Sequence, residues 1–391
     1  MRTFRAVVSV AAVLAVAAGC SSETAAEQAG TATTGSTPSA AAQALVPPGI
    51  TDVLADAKKR VADSLSGGAG FTPSSTGPAA QKKGSTIAYV AADLTNGGVN
   101  TVAKAVTEAG AAIGWKVNVI DGKGSAQGRT NALNQAIALK PAGIILGGFD
   151  ATEQAATIKQ ATSLSIPVVG WHAGPESGPI ASAGLFTNVT TDPLQVSWLA
   201  AAYAVAQSEG TAGVAIFTDS QYQIAVRKAD AMRDYVKLCT GCTVLSYEDA
   251  PIAEADARMP ALISSLLQQN GDKLTFLLGI NGNYFGGAKS ALRDAGKAGA
   301  GPPWAVAAGD GDAAEFQRIR TVDYQAATVA EPMPLQGWQL VDELNRAIAG
   351  QQPSGFVPMP ALITKQNVPD GDVFDPPSGY RDIYKKIWSG Q

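Results

Sequence analysis

Asp310 follows an apolar run and is flanked by Gly309 and Gly311, so its carboxylate is presented at the carboxyl end of an expected strand, with backbone close by. Asn281 stands in the same way after Leu278-Gly279-Ile280, and its amide can both donate to and accept from a hydroxyl. Arg227, in Gln223-Ile224-Ala225-Val226-Arg227, offers a rigid fork of donors suited to hydroxyls or a carboxylate. His172 is the single histidine of the chain. Such groups hold a small polar molecule by hydrogen bonds. A catalyst would need an organised nucleophile, acid–base pair or metal set. The sequence has no H-E-x-x-H, no G-x-S-x-G and no P-loop, so the chain reads as a binder and not an enzyme, with no cofactor and no metal. Each residue also has a structural alternative, and a lone histidine such as His172 is usually structural. Asp310 could cap a helix, although Asp312 explains that cap better; Asn281 could be a turn residue before Gly282; Arg227 could be a solvated helix arginine, a role that Arg233 fills naturally.

Cys239 and Cys242 form a C-x-x-C after Tyr235-Val236-Lys237-Leu238. A zinc site would need two further ligands, and none lies nearby. Thioredoxin-type pairs open a helix after a strand, whereas this pair follows a helix end, so a short local disulfide is the favoured reading over a redox motif.

The elements that must position these residues alternate. Thr86–Ala91, Lys116–Ile120, Gly143–Gly147, Pro167–Trp171, Gly184–Thr187, Gly213–Thr218, Thr243–Tyr247, Leu274–Gly279, Ala305–Ala308 and Ala326–Ala330 are short apolar runs without strict alternation. Strands of that kind are covered on both faces. Between them lie Ala-rich amphipathic helices, among them Val99–Ile113, Thr130–Leu139, Thr152–Leu164, Leu194–Gln207, Ile224–Leu238 and Phe285–Ala295. The rhythm predicts an α/β chain of doubly wound parallel sheets, with ligands collecting at the carboxyl ends of the strands.

Arg2 and Arg5, then the uncharged stretch Ala6–Ala18, then Gly19-Cys20 make the three-part pattern of a secretory signal over residues 1–19. The stretch is too short for a membrane helix, which needs about 20 apolar residues. Val16-Ala17-Ala18-Gly19-Cys20 resembles a bacterial lipobox, with Ala17 where leucine is usual. That resemblance implies lipidation of Cys20 and anchoring to the cell membrane; the alternative is an ordinary signal peptide with an incidental cysteine. Either places the chain outside the cytoplasm. Residues 20–44 are almost devoid of large apolar side chains and read as a flexible linker. Residues 45–83 form an appendage with a short helix over Thr51–Ser66, where Val53, Leu54, Ala57, Val61 and Leu65 recur at helical spacing. What remains is too long for one hydrophobic core, so two lobes are expected. A net charge of −4 gives no basic field and excludes nucleic acid as a partner.

The order of motifs resembles the type I periplasmic binding proteins of the ribose- or sugar-binding class of ABC importers. Ile87-Ala88-Tyr89-Val90 followed by Asn96 matches that family's first strand and ligand loop. Leu139–Gly147 matches the third strand and its approach, and Ile166-Pro167-Val168-Val169-Gly170-Trp171-His172 is similar to I-P-V-I-x-x-D. Leu278–Gly282, the Gly309-Asp310-Gly311 turn and Ala327–Glu331 follow in the family's order. The resemblance implies two Rossmann-like lobes joined by a three-crossing hinge and closing on a ligand. Lobe 1 would be 84–188 and 331–360, lobe 2 would be 189–330 and 361–391, the tail carrying a final helix over Tyr380–Trp388. It further implies a ligand set of Asn96, Trp171, His172, Tyr222, Arg227, Asn281, Asp310 and Glu331, with Glu331 either touching ligand or only stabilising the hinge. His172 stands where aspartate is common. Gly97-Gly98-Val99 lacks the aromatic rings many sugar binders place there, so Trp171, Tyr222 or Tyr284 would have to replace that platform, while Trp198 and Trp338 read as helix packing. The implied role is a monomeric receptor that passes a sugar-like molecule to a membrane permease. A lipoprotein presenting a non-sugar ligand to a membrane signalling receptor would look the same.

Overall fold

A computed structural model describes residues 45–67 and 70–391. Helix α1 (Val53–Leu65) precedes the first sheet, which is built from β1 (Thr86–Ala91), α2 (Gly97–Ile113), β2 (Lys116–Asp121), α3 (Ala126–Ala138), β3 (Ile144–Gly147), α4 (Ala155–Ser163), β4 (Val168–Trp171), β5 (Gly178–Ile180) and β6 (Leu185–Val189). The second lobe follows as α5 (Pro193–Gln207), β7 (Gly213–Thr218), α6 (Gln223–Lys237), β8 (Thr243–Asp249), α7 (Ala255–Asn270), β9 (Phe276–Gly279), α8 (Asn283–Asp294), β10 (Trp304–Ala307), α9 (Ala313–Thr321) and β11 (Gln325–Ala330). Helix α10 (Met333–Ile348), β12 (Ala361–Thr364) and α11 (Tyr380–Ser389) complete the chain.

The sheets run β2-β1-β3-β4-β6-β5 and β12-β11-β10-β9-β7-β8. Both are parallel except at one edge, where β5 and β12 pair antiparallel. Their central strands are buried throughout, as in Ile144-Ile145-Leu146-Gly147 and Gly213–Thr218, which is why the sequence shows apolar runs instead of alternation. The strands expected from the sequence are all present; the edge strands β5 and β12 were not expected, although β12 carries the apolar run Ala361-Leu362-Ile363. Helix starts follow local chemistry: the Asn96 side chain accepts from the Val99 N–H and Asp192 precedes Pro193 at the first turn of α5.

After β1 the chain crosses between lobes at 189–193, 330–333 and 348–361, then once more, because α11 packs on α10 and α2. The C-terminal tail was expected with lobe 2, and only β12 is there. Helix α11 lies on lobe 1 because its aromatic face meets Trp338: the Trp388 ring stacks 5.4 Å from it at 5°, and Trp388 Nε1 donates to Asp342 Oδ1. The appendage likewise joins the body. Helix α1 packs on α5 of lobe 2, with Tyr235 donating to Asp56 at 2.6 Å and Trp198 donating to the Leu45 carbonyl. Phe71 packs on Phe374 in the lobe 1 core, and Asn345 donates to the Pro78 carbonyl. The predicted signal peptide, Cys20 and the linker lie outside the described residues.

Candidate ligand-binding site

The carboxyl ends of both sheets face one cavity of about 550 Å³. Lobe 1 contributes Asn96 and Gly97 at the start of α2 and Trp171 and His172 at the end of β4; lobe 2 contributes Tyr222 just before α6, Lys228 on α6, Asn281 after β9 and Asp310 after β10. His172 and Asp310 both hold positive φ, +50° and +65°. Non-glycine residues adopt that conformation at a cost, and persist there only when their surroundings impose it.

Behind the cavity wall lies a hub on Glu331, which is wholly buried. Its carboxylate accepts from Lys228 Nζ at 2.9 Å, Thr191 Oγ1 at 2.5 Å and Gln336 Nε2 at 3.3 Å, and it meets His172 Nε2 at 3.0 Å. Gln336 in turn accepts from the Trp171 indole at 2.9 Å, and that indole stacks on His172 at 3.9 Å. Burial pushes the Glu331 carboxyl upward, but His172 and Lys228 beside it outweigh burial and hold it well below the usual range. Burial lowers the His172 imidazole, with Glu331 partly opposing. A neutral ring beside an ionised carboxylate carries its proton on Nε2, which leaves Nδ1 as an acceptor. Asp310 differs: burial, reinforced by nearby Glu331, Glu315 and Asp312, pushes its carboxyl well above the usual range against the pull of Lys228. His172, Asp310 and Glu331 bring ligand atoms within 4.8 Å of one another; the Lys228 ammonium supplies positive charge at Glu331, so Glu331 and His172 are satisfied as a hydrogen-bonded hub, whereas among the described residues the Asp310 carboxyl accepts no hydrogen bond.

The predicted residues are distributed unevenly over this geometry. His172, Asn281 and Asp310 converge on the cavity. Asn96 lines it while its Oδ1 caps α2. Trp171 lines it too, but its N–H is committed to Gln336. Tyr222 wedges between the lobes, packing on both cores, with its hydroxyl 3.3 Å from Arg129 Nη1 and its ring 5.4 Å from that guanidinium. Tyr284 is a core residue bonded to the Ala250 carbonyl. Glu331 sits behind the wall and not in it. Arg227 is absent from the lining and pairs with Glu176 across the lobes at 3.4 Å; the cleft position belongs to Lys228, which the sequence reading missed. The signal existed: Lys228 lies in the apolar stripe of α6 with Ile224, Ala231, Met232 and Tyr235, a place where a lysine needs a buried partner.

Gly97 and Gly98 have a physical reason. A Cβ at Gly98 would stand 2.7 Å from Asp310 Cγ, and one at Gly97 would overlap an Asp312 carboxylate oxygen. Lobe 2 acids therefore occupy the space that any side chain at these two positions would need. Further contacts close the lobes on each other: Asp150 Oδ2 accepts from the Gln223 N–H at 2.9 Å, and Gln223 Nε2 donates to Thr152 Oγ1. Asp312 caps α9 through the Glu315 N–H, as its spacing suggested. Cys239 and Cys242 are disulfide-bonded just after α6.

Comparison with known proteins places this geometry among relatives. Residues 87–352 match a family described as a periplasmic binding protein domain. No curated protein matches the sequence. Among solved structures, an ABC transporter solute-binding protein from Agrobacterium vitis bound with α-D-tagatopyranose superposes with a TM-score of 0.64 at 18% identity, covering 74% of this chain and 97% of that one. A Bacillus halodurans solute-binding protein with bound myo-inositol gives 0.63 at 15% identity over 74% and 97%. The arabinose-binding component from Shewanella sp. ANA-3, bound to L-arabinofuranose, gives 0.63 at 17% over 77% and 95%. At such identities the likeness establishes the fold.

Proposed function

We propose, for a chain that belongs to the periplasmic binding protein family, that the cleft captures a small polyhydroxylated, sugar-like molecule and delivers it to the membrane permease of an ABC-type importer. Membership implies work outside the cytoplasm by binding, without covalent chemistry. One observation carries the ligand class: hydrogen-bonding groups of both lobes converge on a single cavity, and among the described residues neither the Asn281 amide N–H nor the Asp310 carboxyl has an internal partner. Buried groups of that kind call for a ligand rich in donors and acceptors. The sugars and cyclitol bound by the structural relatives support the same class. Ligand bridging His172 and Asn96 of lobe 1 to Asn281, Lys228 and Asp310 of lobe 2 would favour the closed form over the open one, and docking on the permease would read that closure. The protein would act as a monomer, tethered by lipid on Cys20; among the described residues no helix is long and apolar enough to cross a membrane. A thermal-shift screen of the purified chain against sugars, polyols, purines and small acids tests the reading. Stabilisation by one or more sugars or polyols is expected, and stabilisation by purines or acids alone would overturn it.

A further inference from the structure

The charges that line the cleft do not balance, and the imbalance bears on which sugar-like ligand it takes; the inference therefore rests on the reading above. Four acids line the cavity, Asp93, Asp256, Asp310 and Asp312, against Lys104, Lys228 and Arg318. Two of the three bases are already engaged. Lys228 is ion-paired with Glu331 at 2.9 Å, and Arg318 donates to Gln325 Oε1 and the Gly282 carbonyl beside buried Glu315. Lys104 is exposed at the rim. Arg227, the arginine expected to face these acids, instead pairs with Glu176.

Asp310 bears the consequence. It is 6% exposed, lines the cavity, and among the described residues makes no ion pair and accepts no hydrogen bond on its carboxyl. Lys228 draws on its carboxyl, but that ammonium is ion-paired with Glu331, and Glu331, Glu315 and Asp312 add like charge around it. A buried carboxyl in that position is satisfied either by a proton or by a cationic donor brought in by the ligand. A neutral hydroxyl supplies one donor and no charge, whereas a protonated amine supplies three donors and the missing positive charge. We propose that the ligand is an amine-bearing sugar or polyol whose ammonium group pairs with Asp310 while its hydroxyls meet Asn281 and His172.

The experiment is calorimetric titration of the purified chain with three matched sets: glucosamine, galactosamine and mannosamine, their N-acetyl forms, and glucose, galactose and mannose. Within at least one set the free amine is expected to bind at least tenfold more tightly than both the neutral sugar and the N-acetyl form, which keeps the nitrogen but loses the charge. Asp310→Asn should erase that preference while leaving weaker binding of the neutral sugar. Neutral sugars binding as tightly as or more tightly than the amines, or an Asp310→Asn variant that retains the preference, would overturn the proposal and leave sugar capture standing. Absence of binding in every arm would overturn the proposal, while sugar capture is tested separately by the wider screen of sugars and polyols. The wild-type comparison decides the matter even if the variant does not fold.

Discussion

At the scale of single residues, the groups the sequence exposed are those whose placement depends only on local pattern. Asp310, Asn281 and His172 each end an apolar run, and a residue there reaches the cleft whatever the rest of the chain does. Arg227 and Lys228 are adjacent, and which of them faces the cleft depends on the rotation of α6, set by how Ile224, Met232 and Tyr235 pack. Resemblance favoured Arg227, and packing brought in Lys228. The Glu331–Lys228 pair is buried from both sides, so Glu331→Gln should destabilise the fold by about 3–5 kcal/mol by leaving the ammonium without a counter-charge. Adding Lys228→Met should recover much of that loss, as urea denaturation in a double-mutant cycle would measure. The hub's acid is held low, so its contribution is complete above the ordinary glutamate value of 4.5 and is lost only as pH falls through the depressed one. Asp150 carries the opposite sign. Burial raises it from 3.8 to about 6, with the Gln223 N–H partly opposing, so the folded state binds the proton more tightly and stability falls as pH rises across that window. Asp150→Asn keeps an acceptor for Gln223, and should flatten that slope and stabilise the protein at pH 7 by on the order of 2 kcal/mol, visible in melting curves taken from pH 4 to pH 7.

At the scale of elements, the strands were legible because parallel sheets buried on both faces demand continuous apolar runs. The helix starts were legible where a capping side chain marks them, as Asp312 does for α9. Strand β5 was not, since a three-residue edge strand needs little apolar character of its own, and β12, although apolar, follows Pro358 and Pro360, which mask its run. The start of α2 was legible only as a departure. Its glycine pair reads in sequence as a missing aromatic platform, whereas in space it is the floor on which Asp310 and Asp312 rest. Gly98→Phe, which would put a ring where sugar binders often have one, should therefore hold the lobes apart and weaken ligand binding more than tenfold while the separate lobes stay folded. Small-angle scattering should then give a larger radius of gyration than the unsubstituted protein. An unchanged radius with stronger binding would instead mean that the ring is accommodated as a stacking surface.

At the scale of the whole molecule, two lobes were expected from length and rhythm, but which lobe each terminal helix covers was not legible. Helical spacing located both α1 and α11, yet an amphipathic face does not say which lobe it will cover. Helix α1 chose lobe 2 through α5, and α11 chose lobe 1 through the Trp338 stack. Because Trp388 is 3% exposed and bonded to Asp342, Trp388→Ala should cost about 3–5 kcal/mol, and thermal unfolding would register it as loss of lobe 1 stability. Capture of this kind requires ligand to be held between the lobes by groups from each. The direct measurement is calorimetric titration of the tightest sugar or polyol found by screening into the unsubstituted chain, into Asn281→Ala on one lobe and into His172→Ala on the other. One ligand per chain is expected, with affinity reduced at least tenfold in both variants; full affinity in either would rule out a site shared across the cleft.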